Sequence, residues 1–221
     1  SNKSLNIVDI KEGGFEENDI LPSLNITYMP MDNMNIRVAA SQTLARPVFR
    51  EIAPTSFYDY KMGMRLNGNA DLERALIQNL DLRWEYYFKR GEMIAISGFY
   101  KSFQNPIEME LDSASQNYSV KYVNTDESFL YGMEIEARKS LSFIPLLHDF
   151  TVGGNLTLVK SVVNLSAFEQ EQKGLKTRPM LGQAPYVANT FLSYANPNNG
   201  WSANVAFNVS GKKLLLLTKF D

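Results

Sequence analysis

Read with a period of two, the chain separates into apolar and polar halves, segment after segment. Trp201, Ala203, Val205, Phe207 and Val209 fall on one face of an extended strand. Ser202, Asn204, Ala206, Asn208 and Ser210 fall on the other. Leu80, Leu82, Trp84, Tyr86 and Phe88 are opposed in the same way by Asp81, Arg83, Glu85 and Tyr87. A strand turns successive side chains to opposite faces. An apolar face backed by several charges cannot lie between two dry layers. It calls for oil on one side and water on the other, and a membrane β-barrel provides both.

Eight such segments are predicted, over residues 20–28, 34–45, 77–88, 92–103, 129–141, 150–163, 185–194 and 201–210. In the fourth, two facings compete: Ile94, Ile96 and Tyr100 against Met93, Ala95, Phe99 and Phe103. Short connections follow the odd-numbered segments and carry Pro, Gly, Asn and Asp, the chemistry of turns. Long connections over residues 46–76, 104–128 and 164–184 show no strand pattern. Structureless loops beyond about 15 residues are uncommon in compact domains. Three at the same end fit an outer-membrane barrel, with short turns on one side and long loops on the other. Tyr28, Phe88, Phe103, Tyr131, Tyr194 and Trp201 stand near strand ends, as an interfacial girdle would. The expected fold is all-β: an antiparallel up-and-down meander of about eight strands, a segment of a transmembrane β-barrel. A soluble antiparallel β-sandwich has the same period and the same hairpins and stays open as the alternative.

Composition trims the choices. The chain has 221 residues and a formal net charge of −2, so it carries no basic footprint for nucleic acid. Cysteine is absent, which excludes disulfide scaffolds, thiolate zinc sites and cysteine nucleophiles. No run approaches the roughly 18 apolar residues of a membrane helix; the longest run of leucines is Leu214 to Leu217. No signal-peptide pattern opens the chain, so an exported protein is expected here in processed or truncated form.

Four stretches carry a family likeness. Ser41-Gln42-Thr43-Leu44-Ala45-Arg46-Pro47-Val48-Phe49-Arg50-Glu51-Ile52-Ala53-Pro54 resembles the A-R-P-x-F-R-E-L-x-P stretch of TonB-dependent outer-membrane receptors, especially those of Bacteroidetes. Asn67-Gly68-Asn69-Ala70-Asp71-Leu72 resembles their G-N-P-x-L, with Ala70 where the family often has proline. Tyr131-Gly132-Met133-Glu134-Ile135-Glu136 resembles their Y-G-x-E strand entry, and Leu181-Gly182-Gln183-Ala184-Pro185-Tyr186-Val187-Ala188-Asn189 their late G-Q-x-P-Y-x-x-N strand. The four occur in family order. The resemblance implies a bacterial outer-membrane location and a receptor barrel of about 22 strands around a plug. Residues 1–221 are then one barrel segment, with plug and last strands absent. Implied too is energised import of a bulky nutrient: an iron chelate, cobalamin or an oligosaccharide. The implied partners are outer-membrane lipid, the TonB complex through an N-terminal segment, a small-molecule or glycan ligand and a surface lipoprotein. A small stand-alone outer-membrane barrel and a soluble carbohydrate-binding sandwich remain as rivals.

Enzymatic chemistry finds no footing. His148 is the only histidine and sits in a short turn, and no nucleophile-elbow motif could recruit it. No catalytic residue, cofactor or metal site is expected. Glu108, Glu110 and Asp112 read as a solvated acidic loop rather than a Ca²⁺ site, since no glycine turn frames them. Arg37, Ser41, Asp81, Arg83, Glu85, Glu134, Glu136 and Arg138 are expected to face the barrel lumen, where they can pair, pack on a plug or line a passage. The ligand-facing candidates are loop aromatics and amides: Phe57, Tyr58, Tyr60, Asn117, Tyr118 and Tyr122. Aromatic faces beside amides suit sugars and flat chelates.

Overall fold

The alternation becomes one long antiparallel sheet. The computed structural model describes residues 18–60, 63–112, 119–165, 170 and 174–214. In chain order its elements are β1 (Ser23–Met31), β2 (Met34–Ala45), α1 (Phe49–Ile52), β3 (Ser56–Asp59), β4 (Met64–Asn67), β5 (Ala75–Lys89) and β6 (Glu92–Gln104). Then come β7 (Ile107–Asp112), β8 (Ser119–Asn124), β9 (Ser128–Ser140), β10 (Phe150–Asn164), β11 (Thr177–Arg178), β12 (Tyr186–Ala195) and β13 (Ser202–Ser210). The long strands lie in the order β1-β2-β5-β6-β9-β10-β12-β13, each antiparallel to the next, and β11 adds briefly to β10. β1 and β13 form the two ends of this path and do not pair with each other.

Register carries the alternation of the two faces from strand to strand through the middle of the sheet. One row of paired residues reads Tyr28, Ile36, Trp84, Ile96, Ile135, Leu156, Ala188 and Val209. The adjacent row reads Asn35, Glu85, Ala95, Glu136, Asn155, Asn189 and Asn208. A slip of one residue in any strand would carry its apolar set to the charged face. The competition in β6 is settled by pairing: Ile94, Ile96 and Tyr100 stand opposite Tyr86, Trp84 and Leu80 on the apolar face. Phe103 pairs with Ile77 and Ser128 and so lies on the polar face, not in a girdle.

The apolar face is bare. Leu24, Ile26, Leu80, Leu82, Ile135, Leu156, Leu192, Val205 and Phe207 are all exposed, and the faces of Trp84, Ile135 and Phe207 meet no second layer among the described residues. A sandwich would bury this face against another sheet, so the sandwich reading does not hold. The open ends at β1 and β13 likewise set aside a small self-closed barrel. On β12, Tyr186 and Tyr194 bracket Ala188, Thr190 and Leu192. Eight residues at about 3.3 Å each, tilted by about 40°, give a band about 20 Å tall, close to the apolar band of an outer-membrane barrel. No described helix is long and apolar enough to cross a membrane.

The connections divide by end. On one side β5 turns into β6 at Arg90-Gly91, where Gly91 takes φ +82°, a backbone state costly for any residue with a Cβ. β1–β2, β9–β10 and β12–β13 are joined at this same end. On the other side lie the long connections, and these are not structureless. They hold α1, β3, β4, β7, β8 and β11, and four of these strands build a second sheet, β3-β4-β8-β7.

An arginine at Ile135, in the middle of the bare face, is expected to lower unfolding stability in phospholipid vesicles by about 2–4 kcal/mol. Denaturant titration of the refolded protein measures this; an unchanged midpoint would mean that the face meets water.

Candidate functional site

The second sheet is assembled from two loops that are far apart in sequence. β4 and β8 pair in parallel, Arg65 with Ser119, Leu66 with Val120 and Asn67 with Lys121. Its core is Leu66, Leu72, Val120 and Tyr122, with Ile52, Phe57, Met64, Ile107 and Met109 packed against them. The family-like stretch at residues 46–54 folds onto this core. The Glu51 carboxylate accepts the Val48 N–H at 2.9 Å and closes the start of α1. The Arg50 guanidinium lies 4.6 Å from the centre of the Phe57 ring. Arg46 and Arg74 converge on the Asp19 carboxylate at 3.5 and 2.8 Å, tying the approach to β1 to the first loop.

Gly68 is required by proximity: a Cβ there would stand 1.9 Å from the Ala53 carbonyl oxygen. The next residue, Asn69, donates its backbone N–H to the Glu51 carbonyl at 2.6 Å and its side-chain amide to the Tyr122 carbonyl at 3.0 Å. Asn124 welds the two loops from the other side. Its Oδ1 accepts the Glu73 N–H at 2.8 Å, and its Nδ2 donates to the carbonyls of Glu73 and Asn105 at 3.0 and 2.8 Å.

The third loop is latched to the same sheet. The side chains of Glu108 on β7 and Arg178 on β11 form a buried ion pair, and the Leu181 N–H donates to the other Glu108 oxygen at 3.2 Å. The reading of Glu108 as a solvated loop carboxylate is therefore corrected. Residues 107–112 are a strand whose alternation packs Ile107 and Met109 against the core and puts Glu108 and Glu110 on the opposite face. Glu110 meets Lys121 at 3.3 Å. Beside the latch opens a cleft of about 440 Å³ lined by Glu51, Ile107, Glu108, Met109, Tyr122, Leu181 and Gly182.

The loop aromatics separate into two groups. Tyr58 and Tyr60 are 51% and 90% exposed and meet edge to face, with ring centres 5.1 Å apart. Phe57 and Tyr122 instead serve the loop sheet's core. Burial pushes the Tyr122 phenol above its ordinary pKa, and nearby Glu51 adds to the rise. Asn117 and Tyr118 lie outside the described residues. Arg178, Leu181 and Asn124 were missed in the sequence, which offers only the weak alternation of Val120 and Tyr122 as a sign of β8.

The eight expected lumen residues share the polar face, and most are paired there. Arg37 Nε meets Glu85 at 3.1 Å, and Asn35 donates to the same oxygen at 3.0 Å. Arg83 bridges Glu85 and Glu136, at 2.8 Å each, and donates to Ser97 at 3.0 Å. Glu134 accepts from Asn155 at 2.7 Å; Asn155 accepts from Asn189 at 2.7 Å, and Asn189 accepts from Asn208. Ser41 accepts from Asn79 at 3.4 Å, Arg138 lies 5.8 Å from the Phe191 ring centre, and Asp81 stands opposite Ala39 and Phe99. His148 sits at the other end from the loop sheet, its ring between the Pro145 carbonyl at 3.1 Å and the Asp149 carboxylate at 3.0 Å.

Breaking the latch with Arg178→Ala leaves a buried carboxylate unpaired and is expected to cost about 3–5 kcal/mol locally. Limited proteolysis should then cut near residue 180 many times faster, while the barrel keeps its heat resistance on gels. Gly68→Ala should likewise expose both loops of the second sheet to protease, because its Cβ displaces the Ala53 backbone.

Three comparisons bear on this architecture. The model of the family described as TonB dependent receptor-like, beta-barrel, matches residues 2–215. No curated protein sequence matches the chain. Among solved structures, the siderophore receptor PirA of Pseudomonas aeruginosa is 18% identical, with a TM-score of 0.58 over 86% of this chain and 30% of PirA. The ferric enterobactin receptor PfeA of the same organism is 18% identical, at 0.56 over 87% and 28%. The copper transporter OprC is 16% identical, at 0.61 over 85% and 26%. The chain thus spans less than a third of the length of these receptors. The match over residues 2–215 places this chain in the TonB-dependent receptor family, as part of its outer-membrane β-barrel.

Proposed function

We propose that the chain is one sector of the wall and the ligand-collecting rim of a receptor that imports a bulky nutrient, with a flat, anionic iron chelate as the first candidate cargo. The observation that carries this reading is the rim of the loop sheet. Tyr58 pairs with Arg65 across β3 and β4, so both side chains stand on the face away from the core, with Tyr60 against Tyr58. All three are exposed. Two aromatic faces beside a guanidinium suit a flat conjugated ligand with negative charge. Cobalamin and oligosaccharides are the other cargoes that such aromatic faces accept. PirA is a siderophore receptor, PfeA a ferric enterobactin receptor and OprC a copper transporter. At 16–18% identity they speak for the fold and leave the cargo to the loops.

The remaining roles follow from the same reading. The open edges at β1 and β13 pair with further strands of a larger barrel, since an unpaired edge in lipid costs several kcal/mol per unsatisfied group. The polar face packs against a plug, the bare face meets lipid, and the TonB complex acts through an N-terminal segment.

Replacing Tyr58 and Tyr60 together by alanine should weaken binding of the chelate about tenfold, or about 1.4 kcal/mol, with the barrel folded as before. Titration of the intact receptor with a panel of ferric chelates, cobalamin and oligosaccharides measures this. Unchanged affinity and uptake would remove the rim from the site.

A further inference from the structure

The four connections at the short-turn end are unlike one another. Asp32-Asn33 and Arg90-Gly91 are polar two-residue turns, and residues 196–200 are Asn-Pro-Asn-Asn-Gly. The connection from β9 to β10 is instead Leu-Ser-Phe-Ile-Pro-Leu-Leu-His-Asp, and three of its large apolar side chains are exposed. Phe143 is 67% exposed and Leu146 is 86% exposed, with Ile144 beside them. This segment is built, not loose. Residues Pro145–Leu147 form a short 3-10 turn. The N–H groups of Leu141, Ile144 and Leu147 donate to the carbonyls of Phe150, Leu141 and Ile144, each at 2.9 Å. The Asp149 carboxylate accepts from Asn196 at 2.6 Å and its carbonyl from the Ala195 N–H at 3.0 Å, which fixes the turn to the neighbouring hairpin. An ordered turn that holds Phe and Leu in water gains nothing from that order.

Continuity says what covers it. Trp84, Tyr86 and Phe88 form a run on the apolar face, with successive ring centres 6.2 and 4.9 Å apart. The Lys139 ammonium lies 5.7 Å from the centre of the Phe88 ring and 6.0 Å from that of Phe143, and it meets Glu92 at 2.6 Å. Phe143 therefore extends the greasy surface of the sheet past its last aromatic and around the end of the wall. Lys89 and Arg90 are exposed at the turn from β5 to β6, and β6 pairs with β9. Apolar side chains below, cations at their rim and a stiff backbone between them describe a segment seated in the headgroup layer.

We propose that residues 142–148 are an interfacial anchor: Phe143, Ile144 and Leu146 insert into the lipid leaflet on the short-turn side, and Lys139, Lys89 and Arg90 face its phosphates. This rests on the sheet being a membrane wall and is independent of the cargo. The anchor would hold the wall at a fixed depth at one end, where the other short turns stay in water.

The test is a depth measurement on the full receptor, reconstituted in vesicles of phosphatidylethanolamine and phosphatidylglycerol. A bimane label is attached at Leu146→Cys or, as the control, at Asn198→Cys; these 221 residues hold no cysteine of their own to compete. Lipids with a nitroxide high on the acyl chain should quench the Leu146 label several-fold more than the Asn198 label, and its emission should shift to the blue. Equal quenching at the two positions, or a Leu146 label quenched mainly by water-soluble iodide, overturns the proposal and marks the turn as a contact for a water-phase protein. A second pair keeps the reading separable from folding. Phe143→Ser/Leu146→Ser should fold with an unchanged circular-dichroism spectrum yet leave the Trp201 region more accessible to iodide. Unchanged accessibility counts against the anchor.

Discussion

A sheet with oil on one side and charge on the other has no tolerance for slippage along its strands. That constraint orders this molecule. Each long strand pairs with its neighbour in the one phase that keeps Trp84, Ile96, Ile135 and Leu156 in line, and Glu85, Glu136 and Asn155 in the next line. The charged line is itself a lock. Arg83 touches carboxylates on its own strand and on β9, two strands away. Shifting β5 by one residue would strand that guanidinium in hydrocarbon and leave Glu85, nearly buried, without its donors. Apolar pattern and polar network therefore enforce the same register from opposite sides.

The outer end obeys a different logic. Loops that leave a membrane wall must satisfy their own backbone and bury something to stay ordered. Here they do so by sharing a sheet across two connections and by a buried ion pair to the third. The residues of the family-like stretch serve this purpose. Glu51 starts a helical turn, Asn69 ties that turn to β8, and Gly68 lets two backbones touch. The family likeness in the chain is the joinery of the loop sheet. The exposed Tyr58, Tyr60 and Arg65 borrow their rigidity from it.

Legibility in the sequence followed the range of the interaction. Period two over nine to fifteen residues is a local signal, so the long strands could be placed within about two to four residues. It also found the charged face, because Arg37, Arg83 and Glu85 alternate with unmistakable apolar neighbours. The loop strands escaped for two reasons. β3 and β4 are four residues each, too short for a period to declare itself, and the pairing of β4 with β8 joins segments that no local pattern connects. Tyr122 looked like a surface aromatic, since nothing near it in sequence reveals Leu66 as its neighbour. Glu108 looked solvated because Arg178 is 70 residues away. Phe103 was grouped with the strand-end aromatics of a girdle because the two sides of its strand are almost equally apolar, and the pairing alone decides between them.

The parallel contact between β4 and β8 has a consequence for how the molecule is assembled. Arg65 meets Ser119 only after the β5–β6 hairpin between them has formed and brought the two segments to the same end. Contacts of such long sequence separation come late, because the intervening chain must first surrender its freedom. The cap therefore cannot precede the wall. In a half-built wall the two loops would lack the sheet they share, and the exposed pair of Tyr58 and Tyr60 would take its place only once the supporting strands had formed.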